Sequence, residues 1–185
     1  MLHEIKLSIY YMVISKLPNS RFLNQFNSIR MWYLSKVIRI IKPHDSSKIQ
    51  ENVYIGDGKK ISIGFHCQIN ENVFIQGATI GNFVMIAPNV AILSATHKTD
   101  DSSVPMIMQG ATEHHFPEIG NDVWIGRNAI IMPGVKVSNG CIIGAGAIVT
   151  KDIPPYSVAA GVPARIIKKR PSPTKAIENL TCCTK

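Results

Sequence analysis

From residue 119 onward, an aliphatic side chain recurs at every sixth position, with a small or apolar residue four positions after each. The aliphatic positions are Ile119, Ile125, Ile131, Val137, Ile143 and Val149, and the positions that follow them are Val123, Ala129, Val135, Cys141, Ala147 and Ile153. The same period runs through Ile63, Ile69 and Ile75, and then through Ile80, Ile86 and Ile92. The spacing is one residue short between positions 75 and 80.

A period of six fits neither an α-helix, with 3.6 residues per turn, nor a plain alternating strand. It is typical of a short strand followed by a tight turn, repeated so that three units close one triangular coil. The aliphatic residue points inward, and Gly, Asn or Asp at the turns supplies a positive φ. Successive coils pair through their backbones about 4.8 Å apart, so each coil is stable only with neighbours. The pattern therefore predicts a parallel β-helix.

We divide the chain into an N-terminal helical segment (1–45), a β-helix domain (46–170) and a flexible C-terminal tail (171–185). Helical spacing of Ile5, Ile9, Met12, Val13 and Leu17 predicts one helix. A second is predicted over 21–42, with Phe22, Phe26, Ile29, Tyr33, Val37 and Ile40 on one face and Pro43 ending it. Residues 98–118 interrupt the repeat as a long inserted loop, and such loops in compact domains are usually functional or disordered.

Apolar content of 45% with 17% charged residues indicates a globular protein, and the net charge of +8 is uneven. Residues 1–44 hold seven Lys and Arg against one acid, Glu4, for a net charge of +6. A second basic cluster comprises Arg165, Lys168, Lys169, Arg170 and Lys175. Positive charge suits nucleic acid, anionic lipid or a phosphate-bearing cofactor, and its sign does not choose among them.

The four cysteines predict neither a disulfide framework nor a zinc site, so a reduced, cytosolic protein is expected. The apolar patch at 7–14 is too short for a transmembrane span and lacks the cleavage site of a signal peptide. For the two N-terminal helices, two hypotheses remain open. They dock on an anionic membrane surface, or they pack on the β-helix or a neighbouring subunit.

His97 stands where the repeat stops and the long loop begins, in the sequence Ser94-Ala95-Thr96-His97. A histidine at the rim of a rigid scaffold is well placed as a general base. A polar loop histidine without a role is the alternative. His114 and His115, in the same loop, are candidates for substrate contacts or a metal pair, although solvated loop residues are more common.

Several motifs occur in a characteristic order. They are Ile86-Ala87-Pro88-Asn89-Val90, His97, Asp122-Val123-Trp124-Ile125-Gly126, Pro133-Gly134-Val135, the stretch 143–155, and Ala160-Gly161-Val162-Pro163-Ala164-Arg165. The sequence resembles the hexapeptide-repeat O-acetyltransferases, which include galactoside, maltose and nodulation-factor acetyltransferases. The stretch 106–110 and the Leu17-Pro18 preface are most similar to the branch that acetylates lipopolysaccharide or capsule sugars.

The resemblance implies a homotrimer of left-handed parallel β-helices, with each active site between two subunits and acetyl-CoA as co-substrate. It implies that His97 takes a proton from a sugar hydroxyl, which attacks the thioester directly, so that Cys141 is not a nucleophile. It also implies an oxyanion donor in the backbone at Gly126-Arg127, although a side chain as long as Arg127 departs from close relatives.

The same resemblance implies the cofactor and acceptor contacts. The cofactor set is Trp124, Ala145, Thr150, Lys151, Arg165 and Lys168. Relatives orient the histidine with an asparagine of the preceding coil, for which Gln68 and Asn70 are the candidates. The predicted acceptor contacts are Gln68, Asn70, Met108 and Gln109.

Competing functions share this scaffold. The γ-type carbonic anhydrases need a further histidine five residues on, where this chain has Ser102, so no metal is expected. A non-catalytic prism would not need His97, Trp124 and the Thr150-Lys151 pair together. An N-acetyltransferase acting on an amino sugar nucleotide, or an antibiotic-modifying enzyme, can use the same base. We expect a saccharide or lipid-linked saccharide acceptor in cell-surface polysaccharide biosynthesis, no nucleic-acid partner, and a cytoplasmic location at the inner face of the membrane.

Overall fold

The computed structural model describes residues 1–44 and 46–172, and these form a stack of triangular coils. Their fifteen strands are β1 (Lys48–Ile49), β2 (Ile61–Ile63), β3 (Gln68–Ile69), β4 (Phe74–Ile75), β5 (Ala78–Ile80), β6 (Met85–Ile86), β7 (Ala91–Ile92), β8 (Glu118–Ile119), β9 (Trp124–Ile125), β10 (Ile130–Ile131), β11 (Lys136–Val137), β12 (Ile142–Ile143), β13 (Ile148–Val149), β14 (Ser157–Ala160) and β15 (Arg165–Lys169). Most of the predicted tail, residues 173–185, lies outside the described residues.

The strands form three sheets, which are the three faces of a prism. The first face has the order β1-β3-β6-β9-β12-β14-β15, the second has β4-β7-β10-β13, and the third has β2-β5-β8-β11. Pairing is parallel throughout except between β14 and β15. The chain visits the first, second and third faces in turn, as a three-sided coil requires. The predicted left-handed parallel β-helix is confirmed.

The interior of the prism is the aliphatic ladder that the period of six predicts. Ile125, Ile131, Val137 and Val149 have no exposed surface, and Ile75, Ile86 and Ile92 are equally buried. The corners carry residues with positive φ, namely Asn52, Asn72, Asn89, Asp122 and Asn128, together with Gly134, Gly140 and Gly146. Burial of this continuous ladder is the main stabilising contribution to the stack.

The short spacing between positions 75 and 80 is a corner of only two residues, Gln76 and Gly77, between β4 and β5. A Cβ atom on Gly77 would lie 2.7 Å from the Phe116 ring, so only glycine leaves room for that ring. Phe116 belongs to the segment that returns from the inserted loop. The irregular corner therefore accommodates the base of the loop one coil above it.

The N-terminal segment closes the open end of the prism beside β1. It consists of α1 (Leu2–Met12), a 3₁₀ turn (Ile14–Lys16), α2 (Asn24–Trp32) and a π-helical continuation (Tyr33–Ile38). The second helix is shorter than predicted, because Arg39 adopts a left-handed conformation with φ of 68°. Ile41 then pairs with Ile63 as part of the first coil. Among the described residues, no helix has the length and apolar character to cross a bilayer.

The sequence left open whether the apolar stripe of α1 packs on the prism, and the structure places that stripe on the outer side of the helix. Ile5, Ile9 and Met12 are exposed, whereas Tyr10 is buried and Leu7 and Tyr11 pack against the core. The Tyr10 hydroxyl donates to the Val53 carbonyl and the Tyr11 hydroxyl to the Gly56 carbonyl, both at 2.8 Å. These hydrogen bonds allow the tyrosines to cover the first coil and turn the aliphatic side chains outward. Phe22, which precedes α2, and Ile29 are likewise exposed, whereas Met31, Tyr33, Leu34 and Ile38 are buried. Of the face predicted for the second helix, Tyr33 and Ile40 are buried as well.

Arg30 fixes the helical cap to the prism from a fully buried position. Its guanidinium donates to the carbonyl oxygens of Ile49, Leu17 and Pro18 at 2.7, 2.7 and 3.0 Å. Burial lowers the pKa of this group, and the Glu51 carboxylate partly offsets that effect. The three bonds satisfy carbonyls where the chain turns between the helices, so a charged side chain is stabilised inside the cap.

Candidate active site

The inserted loop leaves the prism at the edge between the second and third faces, which we call the second edge. It forms a two-stranded antiparallel arm in which His97 pairs with Ala111. The Thr112 N–H donates to the Thr96 carbonyl at 2.8 Å, and the Lys98 N–H donates to the Gly110 carbonyl at 3.0 Å. A short helix, α3 (Met106–Gln109), forms the tip. The backbone of His97 is therefore held on a defined hairpin.

The base of the arm is fixed by a residue that sequence reasoning missed, Gln76. Its Oε1 atom accepts the N–H groups of Ser94 and Ala95 at 2.9 and 3.2 Å. Ser94 is fully buried, and its hydroxyl lies 2.8 Å from Nδ1 of His114. The His115 N–H donates to the Ser94 carbonyl at 2.7 Å. The shortened corner at 76–77 was the only sequence signal for this arrangement.

The histidine pair at the base of the arm has structural contacts. The His114 ring stacks on Phe116 with centroids 5.6 Å apart, and its Nδ1 faces Ser94. The His115 carbonyl accepts the Gly134 N–H at 2.8 Å, which ties the arm to the next coil. Within residues 1–44 and 46–172, no group of three or more His, Cys, Asp or Glu side chains is placed to hold a metal ion.

The His97 side chain is exposed and makes no hydrogen bond to any residue in the described part of the chain. Gln68 and Asn70, the candidates for orienting it, lie elsewhere in the same chain. Gln68 is on the outer side of the first face, in register with Met85. The Asn70 amide donates to the Ile86 carbonyl at 2.9 Å, at the edge between the first and second faces. We call this the first edge. Within one chain, neither residue lies on the edge that carries His97.

Gly126, Arg127 and Ala145 stack at the first edge, because Ile125 and Ile143 are in register. The Gly126 N–H already donates to the Ile143 carbonyl at 2.8 Å. The N–H groups of Arg127 and Ala145 have no acceptor among the described residues. A Cβ on Gly126 would lie 2.6 Å from the Ala145 nitrogen, so glycine at position 126 allows the two coils to approach this closely at the edge. Of the two predicted oxyanion donors, only the Arg127 N–H is available.

The Arg127 side chain points away from this backbone donor. Its guanidinium lies 4.0 Å from the Glu71 carboxylate, and about half of the side chain is exposed. Such an exposed ion pair contributes little to stability. The long side chain therefore has a neighbour on a lower coil, and the backbone N–H of Arg127 has no acceptor among the described residues.

Thr150 and Lys151 follow β13 at the second edge, the same edge as the arm. Register places Val149 above Ile131 and Ile92, so Thr150 stands two coils above the point where the arm leaves. The second face lies between the two edges, and its outward side chains Phe74, Ala91, Ile130 and Ile148 are half-buried. This face joins the edge of His97 to the edge of Arg127.

Arg165 and Lys168 lie on β15, which pairs antiparallel with β14 on the first face, and both are exposed. The turn between these strands crosses the top of the second face, since Gly161 accepts the Ile148 N–H and the Ala164 N–H donates to the Ile148 carbonyl. Trp124 is half-exposed on the first face. The neighbouring cations are engaged, Lys169 with Ser157 and Arg170 with Asp122 and Gly140.

The two residues at the tip of the arm that were predicted to contact the acceptor, Met108 and Gln109, differ in whether their side chains are free to do so. Met108 is exposed, as a contact residue would be. The Gln109 amide nitrogen donates to the carbonyls of Asp101 and Val104 at 2.7 Å, and its oxygen accepts the Asp101 N–H at 3.3 Å. The polar atoms of Gln109 therefore hold the loop in shape.

Comparison with known proteins identifies the family. The bacterial transferase hexapeptide (six repeats) model matches residues 116–151. The galactoside O-acetyltransferase of Lactococcus lactis is 33% identical over 157 residues, covering 80% of this chain and 74% of that protein. The chain belongs to the hexapeptide-repeat acetyltransferases. The galactoside O-acetyltransferase of Escherichia coli is 40% identical over 129 residues, 68% of this chain and 62% of that enzyme.

A solved galactoside acetyltransferase in complex with coenzyme A superimposes on this hexapeptide-repeat acetyltransferase with a TM-score of 0.75 and 32% identity, over 90% of this chain and 80% of that one. The predicted family is thus confirmed. The residues here fit a CoA ligand, because the exposed cations Arg165 and Lys168 suit phosphate oxygens and the Ala145 N–H has no other acceptor. The closer likeness to lipopolysaccharide or capsule enzymes stays a prediction.

Cys141 of this acetyltransferase is a corner residue. Its side chain is fully buried between coils, and burial raises the pKa of the thiol above its usual range. A protonated, inaccessible thiol is a poor nucleophile. The predicted corner position of Cys141 is confirmed, between β11 of the third face and β12 of the first face, and Cys67 is a free, buried cysteine as well.

Proposed function

We propose that the chain transfers the acetyl group of acetyl-CoA to a hydroxyl of a saccharide, in the biosynthesis of lipopolysaccharide or capsule. The observation that supports this most is the arrangement around the second face. A histidine on a fixed arm borders it at one edge, and a free backbone N–H borders it at the other. A general base and an oxyanion donor are the two groups that acyl transfer requires.

His97 acts as the general base in this proposal. Its imidazole accepts the proton of the acceptor hydroxyl as that oxygen attacks the thioester carbonyl. The C–S bond of the thioester then breaks, and the sulfur of CoA takes the proton back from the imidazolium to leave as the thiol. The acetyl group passes directly to the acceptor, so no residue of the chain is acylated. Direct transfer is supported by the burial of Cys67 and Cys141 at corners of the prism, because neither thiol is exposed for acylation.

The Arg127 N–H stabilises the negative charge that develops on the carbonyl oxygen. A backbone donor of this kind contributes roughly 3 to 4 kcal/mol to the transition state. Thr150, Lys151, Arg165 and Lys168 bind the cofactor, and Trp124 lines its path. These roles rest on the family resemblance and on the exposure of each group.

We propose that the active enzyme is a homotrimer with its sites between subunits. Within one chain, His97 and Arg127 occupy different edges of the prism, with the second face between them. Contact with a neighbouring subunit along the second face would bring the His97 base of one chain close to the Arg127 N–H donor of another. The same contact would provide the partner that His97 lacks within the chain, with Asn70 or Gln68 as the candidates.

For the acceptor, we propose a saccharide or lipid-linked saccharide, presented at the inner face of the membrane to a cytoplasmic enzyme. An amine can use the same base, so an amino sugar nucleotide or an antibiotic is the alternative acceptor. Specificity then lies in the arm, where Met108 is exposed at the tip.

A screen for release of the CoA thiol tests the proposal. Purified enzyme and acetyl-CoA are incubated with free and lipid-linked glycans, with amino sugar nucleotides and chloramphenicol as comparison acceptors. We expect turnover with a glycan and a product that loses its acetyl group in alkaline hydroxylamine, as an ester does. A hydroxylamine-stable product would indicate N-acetylation. Absence of CoA binding and of turnover with every acceptor would indicate a non-catalytic scaffold.

A further inference from the structure

We propose that the outer face of the two N-terminal helices is a docking surface for an anionic lipid bilayer. We call it the basal surface, and it consists of Leu2, Ile5, Ile9, Met12, Ile29, Trp32, Lys36 and Arg39. It lies at the end of the prism where β1 begins. The proposal concerns membrane binding and does not depend on acetyl transfer.

The apolar part of the basal surface is a stripe along α1. Leu2, Ile5, Ile9 and Met12 follow one another at intervals of three or four residues, so they share one side of the helix. They are 69, 51, 41 and 70% exposed. The opposite side of α1, including Tyr10, already covers the first coil. The stripe is therefore not packed against any other part of the chain that the structure describes.

The second helix adds an aromatic residue and positive charge to the same side. Ile29, Trp32 and Lys36 share its outer face, and Trp32 is 58% exposed. The helices lie against each other, since the Tyr33 hydroxyl donates to the Lys6 carbonyl at 2.8 Å. Because both cover the same open end of the prism, their outer faces point away from it together.

Charge decides which partner fits the basal surface. Residues 1–44 carry a net charge of +6, and Glu4, their only acid, is paired with the N-terminal amine at 2.7 Å. A second copy of the chain is also positive, at +8, so two basal surfaces in contact would repel each other. Nucleic acid would satisfy the cations and leave the aliphatic stripe in water.

An anionic bilayer satisfies both parts of the surface. Aliphatic side chains enter the boundary between headgroups and acyl chains, tryptophan favours that interface, and Lys36 and Arg39 attract acidic headgroups. Neither helix can span the membrane, so the helices lie flat on it. The binding mode is that of an amphipathic helix pair carried by a rigid domain.

Flotation of the full chain with vesicles tests the proposal. One vesicle is phosphatidylcholine alone, and the other contains about 30% phosphatidylglycerol. The apolar variant is Ile5→Ser/Ile9→Ser, whose side chains point outward, so its circular dichroism and melting should match the wild type. The control is Ile167→Ser, an exposed aliphatic residue at the opposite end of the prism. The charge variant Lys36→Glu is matched by Lys98→Glu on the arm.

We expect the wild type to float with the anionic vesicles and not with phosphatidylcholine. Ile5→Ser/Ile9→Ser should weaken binding about 10-fold or more, because two apolar side chains no longer enter the bilayer. At low salt, Lys36→Glu should weaken vesicle binding more than Lys98→Glu does. Ile167→Ser should bind the vesicles as the wild type does. No flotation of the wild type, or equal loss in the two control variants, would overturn the proposal. A fall in oligomer mass in Ile5→Ser/Ile9→Ser by light scattering would also overturn it, since the stripe would then be a subunit contact.

Discussion

Oε1 of Gln76 accepts the backbone N–H of Ser94 at 2.9 Å, which joins the shortened corner of one coil to the base of the arm that carries His97. The same oxygen accepts the Ala95 N–H at 3.2 Å. Both bonds end within three residues of His97, so Gln76 is a positioning residue for the imidazole. It does not itself contact the proposed reacting atoms.

Replacing Gln76 by alanine should lower kcat by about 10- to 100-fold, because a small displacement of a catalytic group is costly. The KM for acetyl-CoA should stay the same, since the cofactor contacts lie elsewhere. Steady-state kinetics of Gln76→Ala and Gln76→Glu provide the measurement. The Gln76→Glu variant retains an acceptor oxygen, so its kcat should be close to that of the wild type. A loss of thermal stability with an unchanged kcat in Gln76→Ala would show that the residue supports only the fold.

Arg127→Pro should lower kcat by roughly 10²- to 10³-fold, because proline removes the one free N–H of the proposed oxyanion donor. The fold should accept it, since Pro88 occupies the equivalent corner one coil below, as the pairing of Ile86 with Ile125 shows. Arg127→Ala is the matched control, because it removes the side chain and keeps the N–H. Equal activity in the two variants would mean that the donor lies elsewhere.

Cys141→Ala should retain kcat within about twofold, because the raised thiol pKa keeps Cys141 protonated at neutral pH. Folding raises the pKa of this thiol, so the protonated thiol favours the folded state at pH values below its normal pKa. This contribution to stability is lost only in alkali, as the pH rises through the raised pKa. Activity measured from neutral to mildly alkaline pH should therefore be parallel in Cys141→Ala and the wild type. Abolished transfer in a correctly folded variant would point to an acyl-enzyme.

Arg30→Ala should lower the free energy of unfolding by on the order of 3 kcal/mol, because three carbonyls lose a charged donor. Arg21→Ala, at an exposed position of the same segment, is the control and should stay within about 0.5 kcal/mol of the wild type. Urea denaturation followed by circular dichroism gives both values. Equal stability of the two variants would show that water replaces the guanidinium in the cap.

The core of this protein was predictable because a period of six permits few folds. Ile125 and Val149 are buried where the pattern puts them, and the positive φ of Asn89 and Asn128 falls at the corners. Each coil repeats the same strand-and-turn unit, so a wrong assignment at one position would disagree with the equivalent positions of the neighbouring coils. The position of the arm followed from the interruption of the same pattern.

The inward face of α1 and the buried arginine of α2 were not predictable from hydropathy. Tyr10, Tyr11 and Arg30 combine a long apolar body with a polar end, and the end finds a backbone carbonyl on the first coil. A pattern of apolar residues ranks isoleucine above these side chains, so it does not show which side of α1 meets the prism. The correct assignment requires the positions of the carbonyls, which only the folded coil provides.

Part of the site was predictable from motifs and part was not. The motifs supplied His97, Gly126 and Arg127, and the structure showed that the Gly126 N–H is already engaged with Ile143. The role of Gln76 was hidden, because one glutamine in a turn has no sequence signature. The short spacing beside it is visible in the sequence, but its cause is the ring of Phe116 over Gly77, and Phe116 is distant from Gly77 along the chain.

The kinetics of His97→Ala with a confirmed acceptor test most directly whether His97 is the base of a direct acetyl transfer. We expect kcat to fall by roughly 10²- to 10⁴-fold with little change in the KM for acetyl-CoA. Arg165→Ala should do the reverse, raising that KM with kcat nearly unchanged, because the contact proposed for Arg165 is with a CoA phosphate far from the reacting carbonyl. Wild-type turnover by a normally folded His97→Ala enzyme would contradict the mechanism.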